Sequence, residues 1–95
     1  MPQPRLVAKV FIGREKWTIL RCKVPRDRWG DCNHDEKTIR VSDRLSGTCL
    51  LNVLLHEMIH ARWWCLDEGE VDEFAEEAAG VLESFGFHDE EKHDG

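Results

Sequence analysis

Two imidazoles and a carboxylate stand close together in the stretch His56-Glu57-Met58-Ile59-His60. Residues four apart on a helix share a face, so the rings of His56 and His60 can reach one cation while Glu57 stands beside an open coordination position. Zinc suits such nitrogen donors, and a zinc site with one open position supports hydrolysis by an activated water. Glu57 is the expected general base. Around these residues lie Leu50, Leu51, Val53, Leu54, Leu55, Met58, Ile59 and Ala61. Two histidines and a glutamate on so apolar a helix are costly to bury without a partner, and a divalent cation supplies one.

A catalytic zinc site needs a third protein ligand, and the following segment offers Glu68, Glu70, Asp72, Glu73, Glu76 and Glu77. In an antiparallel helical hairpin with its loop near residues 65–68, Glu73 faces His60 and Glu77 faces His56. The helical wheel slightly favours Glu77 or Glu70, which flank the apolar stripe Val71, Phe74, Ala75, Ala78, Val81, Leu82 and Phe85. Glu68, Asp72 and Glu76 read as members of a solvated face.

These residues need elements to hold them. Leu6–Ile12 and Trp17–Val24 are rich in β-branched and aromatic side chains and are separated by a Gly13 turn, which predicts a hairpin. Thr38–Ser42 alternates apolar and polar residues and predicts a third strand, facing the cleft as the sheet edge, where an extended peptide could pair with it. The segment from Pro25 to Lys37 reads as a loop. A helix from about Cys49 to Trp64, capped by Ser46 or Thr48 and apolar on most sides, belongs in the middle of the fold. Asp67 caps a second helix. The expected fold is α+β: a three-stranded antiparallel sheet packed on a two-helix hairpin that carries the histidines.

With 95 residues, the chain is long enough for one small domain, expected over residues 1–87, followed by a polar, frayed tail over residues 88–95. Its 13 Lys and Arg against 19 Asp and Glu give a net charge of −6, which argues against nucleic acid as a partner. No apolar run is long enough to span a membrane, the first residues lack a signal-peptide core, and Cys22, Cys32, Cys49 and Cys65 form no CxxC pair. Cytoplasmic placement and free, mostly buried thiols are the expectation. For Trp29 and Cys32, packing is the preferred role. His34 could touch substrate or simply sit on a loop.

The stretch Asp72 to Leu82, coming after the two-histidine motif, resembles the second motif of the gluzincin metalloproteases. That resemblance implies Glu73 as the third metal ligand and Glu77 as the acid that orients His56. Arg28-Trp29-Gly30-Asp31-Cys32, followed by the strand Thr38–Ser42, Arg44-Leu45 and the two-histidine motif, resembles the SprT-like and related WGxC metallopeptidases. In those families the third ligand is commonly a later histidine; none follows here before His88, which favours Glu73. Taken together, the chain is similar to a minimal zincin, like small metallopeptidases of phages and bacteria.

The expected function is a peptidase with one zinc ion per chain held by His56, His60 and Glu73, with Glu57 as base and a peptide or protein as substrate. The alternative is a zinc-stabilised interaction or regulatory module without turnover, binding a protein partner. A small core gains stability from a metal whether or not the metal is catalytic.

Overall fold

A computed structural model describes residues 4–87. The elements follow in the order β1 (Arg5–Ile12), β2 (Glu15–Cys22), β3 (Gly30–Asn33), β4 (Thr38–Ser42), α1 (Gly47–Arg62) and α2 (Glu68–Ser84). The tail expected over residues 88–95 lies outside the described residues.

β1 and β2 form the expected hairpin, joined by Gly13 and Arg14, with Gly13 at φ 69°, a conformation glycine adopts without steric cost. The rest of the sheet departs from expectation. It has four strands in the order β1-β2-β4-β3, and β4 runs parallel to β2 while the other pairs are antiparallel. The three-stranded antiparallel sheet is therefore wrong. The cause lies in the segment read as a loop: Gly30–Asn33 pairs with β4 through the register Gly30↔Val41 to Asn33↔Thr38. After β2 the chain crosses to the far edge, forms β3, and turns back so that β4 fits between β3 and β2. The Asn33 side chain accepts from the Glu36 amide at 3.0 Å to shape the turn, and Lys37 at φ 52° completes it. Thr38–Ser42 is thus an interior strand, and β3 is the edge beside α1.

One face of the sheet carries the core residues Ile12, Trp17, Ile19, Ile39 and Val41, against which Leu50, Val53, Leu54, Met58 and Ala61 of α1 pack. On its other side α1 receives α2, which among the described residues packs on no strand. The result is three layers with α1 in the middle, as its apolar composition predicts, although Glu57 is the one α1 residue that counts as buried. Ser46 occupies the N-cap of α1 without a side-chain capping bond, whereas the Asp67 side chain accepts from the Glu70 amide at 3.1 Å and caps α2. Thr48 donates to Glu83, tying the start of α1 to the end of α2.

Two features hold β3 against β4 and α1. The Trp29 carbonyl accepts from the Ser42 amide at 2.8 Å. A Cβ on Gly30 would lie 2.8 Å from the Arg40 carbonyl oxygen and 3.0 Å from Val53 Cγ1, so only glycine lets the strand approach this closely. All four cysteines are free; Cys22 is buried and Cys32 half-buried, but Cys49 and Cys65 are exposed, against the expectation of mostly buried thiols. Among the described residues, no helix is long and apolar enough to cross a membrane.

Candidate metal centre

His56 and His60 project from the last two turns of α1 toward the first turn of α2. Their Nε2 atoms are 3.0 Å apart. Glu68, the first residue of α2, brings its carboxylate to both: Oε1 lies 2.8 Å from His56 Nε2 and 3.3 Å from His60 Nε2. One donor atom from each of the three lies within 4.8 Å of the others.

The spacing can be tested against a metal. Zinc bonds of about 2.0–2.1 Å in a tetrahedron separate the ligand atoms by about 3.3 Å. The three observed separations fall at or slightly inside that edge length. The donor set of two imidazoles and a carboxylate is one that zinc accepts while keeping a position open. The group His56, His60 and Glu68 is therefore close enough, and of the right chemistry, to hold a metal ion.

On the far side of His56, Nδ1 lies 2.9 Å from Asp72 Oδ1. A carboxylate there favours the tautomer with its proton on Nδ1 and leaves Nε2 free to ligate. The His60 end is fixed differently: His34, from the β3–β4 turn, hydrogen-bonds the His60 carbonyl through Nε2 at 2.9 Å. The His34 ring also meets Trp17 edge-on at 5.4 Å between centroids. A residue that the sequence left undecided thus links the sheet to the last turn of α1.

Glu57 packs at the contact between α1 and β3, where a Cβ on Gly30 would lie 3.4 Å from its Cγ, and it lines the same cleft as the two histidines. It is buried, and that burial raises its pKa; the neighbouring His56 and His60 oppose the shift. A cleft of about 370 Å³ runs past this carboxylate and both histidines, lined also by Arg28, His34 and Glu68. Burial also pushes the Cys32 thiol, on the same wall, up to about 11, with Glu57 and Asp31 adding to the shift. That thiol is neutral at physiological pH, which supports a packing role.

Glu73 and Glu77 are exposed, and neither belongs to the group around the histidines. Helix geometry gives the reason. The residues of α2 buried against α1 are Val71, Ala75 and Ala79. At about 100° per residue, Glu68 and Asp72 share that face, whereas Glu73 and Glu77 lie on the opposite side. Glu68 stands where Glu73 was expected, and Asp72 has the relation to His56 expected of Glu77. Glu70, the other alternative, is exposed and its amide is engaged by the Asp67 cap.

The sequence held a usable signal for Glu68. It directly follows the Asp67 cap of α2, and His60 lies in the last turn of α1, so a short hairpin loop sets the two opposite each other. No family model, curated protein or solved structure matches the chain, so the reading of the site rests on its own geometry.

Proposed function

We propose that the chain is a zinc-dependent metallopeptidase of the zincin kind, with His56, His60 and Glu68 as metal ligands and Glu57 as general base. The observation that carries this reading is the convergence of the three donor atoms beside a buried carboxylate. When bound, zinc would polarise the scissile carbonyl and lower the pKa of the attacking water. Glu57 takes the proton from that water and returns it to the leaving amine; its raised pKa suits a group that must do both. Asp72 holds the His56 ring. An extended substrate would lie along β3, the edge strand beside α1, and use its backbone groups.

The test is Glu57→Gln measured beside the parent chain for metal content and for cleavage of a mixed peptide library. Zinc retained at about one per chain with turnover reduced by a factor of about 100 or more supports the assignment. Cleavage at the parent rate removes Glu57 from the mechanism. Zinc bound by a parent chain that leaves every peptide intact, even at stoichiometric enzyme, favours the interaction module.

A further inference from the structure

Packing on α1 alone leaves most of α2 facing outward, and that outer surface is not uniformly polar. Phe74, Val81 and Phe85 are 58%, 57% and 78% exposed. With the small Ala78 between them, they recur at i, i+4, i+7 and i+11, which is the seam spacing by which one helix packs along another. The seam runs for about 16 Å. Three large apolar side chains in one row along α2 and its C-cap residue Phe85 are an unpartnered face rather than scattered surface residues.

Charge selects the occupant. Glu70 and Glu77 flank the seam on the side away from α1, in the positions that pair with a partner helix's charges. The whole of α2 contains no lysine or arginine. A second copy of the same helix would bring acid against acid, and an anionic membrane surface or a phosphate backbone would be repelled in the same way. Residues 88–95, His-Asp-Glu-Glu-Lys-His-Asp-Gly, have no apolar side chain with which to cover the seam.

We infer that the outer face of α2 docks an amphipathic protein helix with an apolar seam and lysine or arginine along its flank. This surface is separate from the metal centre. It lies about 100° round α2 from the face packed on α1 and further still from Glu68 and Asp72, so occupancy need not block the cleft.

The experiment uses the full chain and two synthetic helical peptides sharing one leucine seam, one with lysine and the other with glutamate at the flanking positions. Binding is read by calorimetry near physiological salt. The lysine peptide should bind one to one, at least tenfold more tightly than the glutamate peptide. Phe74→Ser with Phe85→Ser should weaken it at least tenfold, and Glu70→Lys with Glu77→Lys should reverse the preference between peptides. Both pairs change exposed residues, and circular dichroism checks that the fold is kept. Equal binding by the serine variant would show diffuse attraction to an acidic surface and overturn the proposal, as would no binding by the parent chain. Dimerisation of the chain alone, lost in the serine variant, would give the face to a second copy instead. Binding that persists after chelation separates this result from the fate of the metallopeptidase reading.

Discussion

His56 Nδ1 lies 2.9 Å from Asp72 Oδ1, and the opposite edge of the same ring lies 2.8 Å from Glu68 Oε1. The two carboxylates are four residues apart on α2, as the two histidines are on α1. In the proposed metal site, Glu68 would be the ligand and Asp72 would orient the ring of His56.

That division of labour separates the acids by experiment. Glu68→Gln should lower zinc affinity most, Asp72→Asn should lower it by a factor of about 10–100, and Glu73→Gln should leave it unchanged. Competition with a chromophoric chelator measures all three. A large loss in the Glu73 variant with none in the Glu68 variant would restore the assignment implied by the gluzincin resemblance.

Metal should also stabilise the fold, because the ligands come from two helices that zinc would cross-link. At a free zinc concentration one hundred times the dissociation constant, linkage gives about 2.7 kcal/mol. For a domain of this size that is a rise in Tm of about 10–20 °C, reversed by chelation. Differential scanning calorimetry with and without chelator checks it, and an unchanged Tm would argue against a site on the native fold.

Gly30 is the residue whose replacement should disturb most with least added volume. Gly30→Ala places a methyl group 2.8 Å from the Arg40 carbonyl oxygen, which is backbone and cannot swing away. The expected cost is about 1–3 kcal/mol, read from urea denaturation, because β3 must shift away from β4 and α1. Since Glu57 lies on the other side of the same contact, the variant should also lose activity beyond its loss of stability.

Thiol chemistry supplies a pH-dependent test. Cys49 and Cys65 are exposed and should react at once with a disulfide reagent at pH 8, while half-buried Cys32 should react more slowly and buried Cys22 only after unfolding. Cys32 titrates at about 11 in the folded chain against an ordinary value of 9.0. A raised pKa means that the unfolded chain releases its proton first. Stability from this group is therefore fully present below pH 9.0 and is lost as pH rises through about 11. Cys32→Ala should remove that part of the alkaline decline in urea midpoints; an identical decline in both chains would show that the thiol does not contribute.

The sequence made the helices and the hairpin visible but not the rotation of α2 or the order of the sheet. Phe74, Val81 and Phe85 pull an apolar wheel toward their own side, whereas the face packed on α1 centres on Val71, Ala75 and Ala79. Small residues allow two helices to approach closely, so close approach rather than side-chain bulk set the packed face and moved Glu68 and Asp72 inward. Strand β3 was hidden for another reason. Gly-Asp-Cys-Asn has little intrinsic preference for a strand and becomes one through its pairing with β4. The two-histidine motif was legible because its spacing is a local property of one helix.

All three donor atoms of the candidate metal centre belong to residues 56–68, a helical hairpin of short loop. Closing such a loop costs little entropy, whereas the parallel pairing of β2 with β4 joins segments distant in the chain and forms slowly. During folding, the hairpin can therefore capture metal before the sheet exists, and Glu57 stays hydrated until β3 arrives to cover it. Refolding with cobalt in place of zinc should show the colour of the bound metal ahead of the burial of Trp17. The reverse order would mean that the sheet templates the centre.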